Sequence, residues 1–274
     1  MRRNLHAIHP RVLWKSLREH RELIWQLSKR EVMGRYRGSI LGLLWSFFNP
    51  IVLLLVYTFV FNVVFKARWP GGKGNRVEFA LIVFAGLIVF SLFAEMVNRA
   101  PSLILSNPNF VKKVIFPLEV LPYVALGTAL FHTLVSFAIL LVANLFLGDL
   151  FHWTFLLFPI VLIPLAPLCL GISWFLSSLG VFVRDVGQVI NVAVQILLFM
   201  TPIFYPVSAV PISLRGYLEW NPLALIIEQM RGVILYGHLP NWFGLGLCFM
   251  VGTLVAWLGL VWFQRTKNGF ANVL

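Results

Sequence analysis

Apolar residues run along this chain in long, nearly continuous blocks, interrupted by short polar stretches. Six blocks are long enough to cross a hydrocarbon core, which takes roughly 20 helical residues. They are Ile40 to Phe65, Phe79 to Val97, Val120 to Leu147, Phe155 to Val183, Val186 to Phe204 and Trp242 to Phe263. None alternates with a period of two, which excludes an outer-membrane barrel and predicts a helical bundle. The expected fold class is therefore an all-α integral membrane protein with six transmembrane helices, occupying residues 40–265.

Two regions break this pattern. Between Pro10 and Gly34, Leu13, Leu17, Ile24 and Leu27 recur at helical spacing with Trp14 and Trp25 beside them, while Lys15, Arg18, Glu19, Glu22, Gln26 and Lys29 take the other faces. Residues 1–39 are expected to form an amphipathic helix in the cytoplasmic interface, its basic face toward anionic membrane lipids. Between the last two blocks, Pro202, Pro206, Pro211, Pro222 and Pro240 forbid one continuous helix. There Asn221 suits an N-cap, Pro222 the first helical position and Gly237 the position past the helix end. Short helices too brief to span are expected over 206–240, re-entering the membrane from the periplasmic side. Irregular backbone at that depth must be buried in protein or line a water-filled path. Residues 266–274 form a cytoplasmic tail in this scheme.

Composition and charge sharpen the picture. Hydrophobic residues make up 59% of the 274 residues and charged ones 12%, and the mean hydropathy is +0.87. A soluble domain could not hide that much apolar surface. The net charge of +12 does not point to nucleic acid, because the basic residues flank the apolar blocks. Sixteen of the 22 Lys and Arg residues fall on the side that carries both termini and the loop after the second block, and six on the other. Both termini are therefore expected in the cytoplasm of a bacterial cell, with the chain multi-pass in the inner membrane. The first 39 residues contain no long apolar run, so no cleavable signal peptide is expected.

Catalytic chemistry is scarce. Pro70-Gly71-Gly72-Lys73-Gly74 lacks the first spaced glycine and the Ser or Thr of a phosphate loop and reads as a turn. His132 stands alone in the third block and His152 alone in a loop, with no ligand or nucleophile at helical spacing. Cys169 and Cys248 sit in apolar stretches as packing residues. Glu95, Glu119 and the Arg184-Asp185 pair lie at block boundaries and read as interface anchors or local ion pairs. Without a charge relay through the bundle, proton or sodium coupling has little to work with.

The blocks do offer aromatic surface, with 25 Phe, 10 Trp and 6 Tyr. An uncharged aromatic wall suits a sugar polymer, since the C–H faces of pyranose rings rest on aromatic faces without a fixed register. Tyr57 and Phe61, four residues apart, lie within about 40° of each other on a helix. With Phe204 and Tyr205 near a periplasmic exit they form the candidate sugar-facing set. Trp45 is a reserve member, brought in if Pro50 kinks the first helix.

Arg30-Glu31-Val32, Arg35-Tyr36-Arg37-Gly38-Ser39-Ile40-Leu41-Gly42, Leu44-Trp45, Asn49-Pro50, Phe116-Pro117, Val183-Arg184-Asp185-Val186, Thr201-Pro202-Ile203-Phe204-Tyr205-Pro206 and Trp220-Asn221-Pro222 follow one another along nearly the whole chain. In that order they resemble the polysaccharide branch of the type-two ABC exporter permeases, which move O-antigen, capsule or teichoic-acid chains. The resemblance implies two permease copies and two separate ATP-binding cassette subunits, with ATP and Mg bound by those partners and no cofactor on this chain. It also implies a lipid-linked polysaccharide as cargo. The ATPase-coupling loop it implies is Asn107-Pro108-Asn109-Phe110-Val111-Lys112-Lys113. An ion-coupled or passive transporter, and an integral-membrane transferase acting on lipid-linked sugars, remain alternatives.

The charge split yields a direct test of topology. Single cysteines in Ser106→Cys and Arg265→Cys variants should be shielded from an impermeant thiol reagent in intact cells, and a Gly72→Cys variant should be labelled. Labelling of Arg265→Cys from outside would contradict the six-span scheme.

Overall fold

The computed structural model describes residues 18–65, 69, 76–111, 116–147 and 152–273, and every structural statement below concerns these. Residues 1–17 of the expected interface helix, the Pro70–Gly74 turn, and Lys112 and Lys113 of the expected coupling loop lie outside them.

The described residues form helices and no strand. Helix α1 is Arg21–Arg35. Helix α2 is Trp45–Thr58, with Pro50 inside it, and it continues as one stretch of π-helix, Phe59–Val64. Then follow α3, Arg76–Arg99, the short α4, Pro108–Val111, and α5, Leu121–Leu147. After a run of short turns from Trp153, α6 is Leu165–Phe182 and α7 is Val186–Met200. Two shorter helices, α8 Ile212–Glu219 and α9 Pro222–Leu235, precede α10, Trp242–Thr266.

Five helical segments are long and apolar enough to cross a membrane: Gly42–Phe61, Glu78–Ser102, Leu118–Phe146, Trp153–Phe182 and Trp242–Gly269. They match five of the six expected blocks. The remaining block, Val186 to Phe204, is corrected to a 15-residue helix, about 22 Å long at 1.5 Å per residue. Its end has a local cause. Thr201 precedes Pro202, whose ring disfavours helical backbone in the residue before it, and Thr201 is extended at φ −90°, ψ 141°.

The caps of α9 follow the sequence signals. The Asn221 side chain accepts a 3.0 Å hydrogen bond from the Leu223 N–H, Pro222 occupies the first turn, and Gly237 takes φ +68° just past the end. Helix α1 also makes a contact with the bundle that its sequence did not show. Its outward residues include Trp25, 68% exposed, whereas Ser28 and Val32 are buried. The burial comes from α5, against which α1 packs, and the Ser28 hydroxyl donates to the Val124 carbonyl at 3.2 Å. A helix lying only on a lipid surface would not bury a serine, so α1 is docked on the bundle.

Helix α3 is the central strut, packed against α5, α9, α6, α2 and α7. Ala80, Ile82, Val83, Ala85, Val89 and Met96 are wholly buried along it. Helix α2 is its opposite, with Phe47, Phe48, Ile51, Leu53, Leu55, Phe59 and Phe65 all exposed. The most extensive helix pair is α6 with α10. They meet through glycines: a Cβ on Gly259 would stand 2.1 Å from the Gly171 carbonyl oxygen, and one on Gly171 would stand 2.5 Å from Val255 and Ala256 backbone atoms. Small residues at such crossings let two backbones approach and gain packing that lipid cannot replace.

This contact generates a prediction. Gly259→Val should cost about 1–3 kcal/mol through overpacking, seen as a lower thermal midpoint of the detergent-solubilised protein. Gly246→Ala, where nothing lies within 4 Å, should leave the midpoint unchanged.

Candidate functional site

Two polar and aromatic constellations stand out, one at each end of the bundle. The first forms where α7 stops. Its broken backbone at Pro202 and Ile203 brings Phe204 against α2, where the π-helical turn carries Phe61. The Phe204 ring centroid lies 5.9 Å from that of Tyr57, 6.1 Å from that of Phe61 in a stacked arrangement, and 5.8 Å from that of Phe199. Tyr57 and Phe61 are themselves stacked at 6.2 Å, and Phe79 of α3 backs Phe61 at 4.9 Å. These spacings suit favourable ring pairing. Tyr57, Phe61 and Phe204 are all half-buried, packed against the core on one side.

Three of the five expected sugar-facing residues are thus brought together. Tyr205 adjoins them, but its hydroxyl donates to the Phe199 carbonyl at 2.9 Å and caps the end of α7. Trp45 is not part of the group. It packs edge-on against Phe48 at 5.1 Å, at the other end of α2.

Beneath this cluster lies Arg231 of α9, 1% exposed. Its Nε donates to the Ile82 carbonyl at 3.1 Å, one Nη to the Pro202 carbonyl at 2.8 Å and to Glu228 at 2.7 Å, and the other Nη to the Ile203 carbonyl at 2.7 Å. The Trp69 ring lies 4.8 Å from the guanidinium carbon, within cation–π range. The sequence offered only a basic residue in an apolar helix, counted among the flanking charges. Its spacing from Glu228 was the one available signal.

The second constellation is at the end carrying α1. Glu95 of α3 accepts from His132 Nδ1 of α5 at 2.9 Å and from Arg35 at 2.9 Å. His132 Nε2 and the Tyr36 hydroxyl are 3.2 Å apart. A carboxylate accepts only, so Nδ1 carries the proton, and a neutral ring then uses Nε2 to accept from Tyr36. Burial raises the Tyr36 pKa, with the Arg35 charge opposing it. Arg99 pairs closely with Glu31 of α1, while its other Nη lies 3.8 Å from Glu95, an ion pair too long for a hydrogen bond. His132, expected in a packing or hydrogen-bonding role, and Glu95, expected as an interface anchor or local ion pair, join in one network that fastens α1 to α3 and α5. Glu119 makes a separate 3.8 Å pair with Lys267.

Beside this network is a cleft of 520 Å³ lined by Arg30, Arg35, Arg99, Ser106, Asn107 and Phe110, among others. The expected coupling loop forms its rim. Asn107 donates to the Leu103 carbonyl at 2.9 Å, Pro108 and Asn109 are exposed, and Phe110 is stacked on Phe116 at 4.2 Å. Phe110 is thus partly committed inside the chain, and Pro108 with Asn109 presents outward.

Residues 22–235, from α1 through α9, match the family model described as ABC-2 type transporter. The chain belongs to that family. It is a membrane family, and the matched stretch holds both constellations. Three relatives extend the match. An O-antigen export system permease protein, RfbA, of Myxococcus xanthus is 29% identical over 95% of this chain and 98% of its own length. One of the same name from Klebsiella pneumoniae is 26% identical over 92% and 95%. The polysialic acid transport protein KpsM of Escherichia coli is 25% identical over 87% and 91%.

The network at the α1 end predicts a stability effect. Glu95→Ala removes the common acceptor of Arg35 and His132, and should cost about 1–3 kcal/mol, the penalty for leaving such donors unmet. Arg35 is 43% exposed, which favours the lower part of that range. Limited proteolysis should cut the 36–41 junction faster in the variant than in the parent. Equal cutting rates and equal thermal midpoints would show that the network does not hold α1.

Proposed function

We propose that this chain is the membrane-spanning permease subunit of an ATP-driven exporter, moving a lipid-linked polysaccharide of the O-antigen or capsule class from cytoplasm to periplasm. The observation that carries this reading is the near full-length similarity to proteins named for O-antigen and polysialic acid export. The uncharged cluster of Tyr57, Phe61 and Phe204 supports it, because a sugar chain slides along aromatic faces without charged groups to hold it. An ion-coupled transporter would need an ionisable relay at mid-depth. The charged groups described here gather at the α1 end and around the buried Arg231 instead.

In this reading the chain spans the membrane six times with both termini cytoplasmic, and Val186–Met200 completes its crossing through the irregular 201–205 segment. Two copies pair and enclose the path. Two ATP-binding cassette subunits bind ATP and Mg, hydrolyse the nucleotide, and press on the loop at Asn107–Lys113, of which Pro108 and Asn109 are the outward part. Exposed apolar residues of α2 and α7 then meet lipid or the second copy. Helices α8 and α9 re-enter from the periplasmic side and cover the exit.

Export and hydrolysis, measured together, test the reading. A Tyr57→Ala/Phe61→Ala double variant present at normal membrane levels should lose polymer export while partner-dependent ATP hydrolysis continues, since each aromatic contributes on the order of 1 kcal/mol to ring contacts. Phe110→Asp should instead lower both, with about 2–5 kcal/mol lost from docking if the contact is buried. Parent-level export by the double variant would reject the aromatic wall.

A further inference from the structure

The guanidinium of Arg231 joins three pieces of backbone that the sequence keeps far apart. The Pro202 and Ile203 carbonyls lie beyond the end of α7, where no helical N–H reaches them, and buried carbonyls need donors. Arg231 supplies both, at 2.8 and 2.7 Å. An arginine fork is planar and rigid, so contacts to two successive carbonyls fix the direction of that backbone as well as its position. The remaining edge of the fork is held by the Ile82 carbonyl on α3, and Glu228 from the preceding turn of α9 secures one Nη. Gly86 leaves the approach open, since a Cβ there would stand 3.0 Å from an Nη. The break is thereby referenced to the buried strut α3.

The next residue is Phe204. We propose that Arg231 is a positioning residue that sets the resting closure of the exit, by fixing the backbone from which Phe204 reaches Tyr57 and Phe61. This rests on the reading of that aromatic cluster as the wall of the polymer path. The Phe204 ring is half-buried, while Ile203 before it is fully buried. The side chain therefore swings aside for a polymer by rotamer change, and the backbone stays where Arg231 holds it. Closure is restored when the ring returns, with no refolding of the break.

The test is the ionic conductance of planar bilayers containing the permease with its ATPase partner, in sodium chloride, without ATP or polymer. The parent should be tight and Phe204→Ala should conduct. Arg231→Lys, which offers a single ammonium in place of a fork, should raise conductance roughly tenfold or more, the factor that loss of one charge-assisted hydrogen bond corresponds to. The Arg231→Lys/Phe204→Ala pair should conduct no more than Phe204→Ala alone, because both act on one closure. Gly86→Ala keeps the arginine but crowds it, and should fall between the parent and Arg231→Lys. A silent Phe204→Ala would remove the path reading itself. A conducting Phe204→Ala with a tight Arg231→Lys, or additive leaks in the double variant, would overturn the role given to Arg231. If Arg231→Lys does not accumulate in membranes, a tight Gly86→Ala likewise overturns it and leaves Arg231 as a folding residue only.

Discussion

A chain that breaks a helix among apolar neighbours must find donors for the carbonyls it strands, and here Arg231 answers that need. Pro202 ends α7 after 15 residues, and water cannot reach the Pro202 and Ile203 carbonyls in a site where Ile203 is fully buried. Unmet, each would cost about 1–3 kcal/mol. The same guanidinium must itself be satisfied, since a buried charge without partners is costly. Burial pushes its pKa down and Glu228 pushes it back up. The break, the α9 helix and the α3 strut are therefore stable only together, and the aromatic cluster on α2 has a fixed partner only because they are.

Local signals in the sequence were sufficient wherever the physics was local. Asn221, Pro222 and Gly237 announce the two ends of α9, and the Tyr57 and Phe61 spacing places those rings on one face. Five helices long and apolar enough to cross a membrane follow from apolar length alone. The end of the fifth block, Val186 to Phe204, was misjudged by hydropathy, because Ile203 and Phe204 are as apolar as the helix before them, while the proline that stops it is a steric signal. Trp45, a reserve member to be brought in only if Pro50 kinks the first helix, lies apart from the cluster on Phe48, as its twelve-residue spacing from Tyr57 implies.

What stayed hidden depends on chain segments that meet only after folding. His132 looked solitary because Glu95 and Arg35 are 37 and 97 residues away. Arg231 looked like one more flanking charge because three of its partners are carbonyls, which every residue possesses and no residue type advertises. The docked position of α1 was missed through the same limit. A helix with basic residues on most faces fits a lipid surface by composition, and only the buried Ser28 and the Arg99 pair with Glu31 reveal that it is fastened to protein.

Burial is also distributed unevenly, and that has a mechanical consequence for α3. One end of this helix leads into the loop that carries α4, and near its other end the Ile82 carbonyl holds Arg231. From Arg99 to Ile82 is about 26 Å at 1.5 Å per residue. A rod of that length tilted by about 5° at one end moves the other by about 2 Å, more than a hydrogen bond tolerates before it weakens. α3 is buried on every face but the stripe of Leu87, Ser91, Ala94, Glu95 and Asn98, so a tilt of the helix as a rigid rod would carry the Ile82 carbonyl that holds the Arg231 fork. The Ile82 carbonyl and the Arg231 fork thus tie the backbone that carries Phe204 to the position of α3.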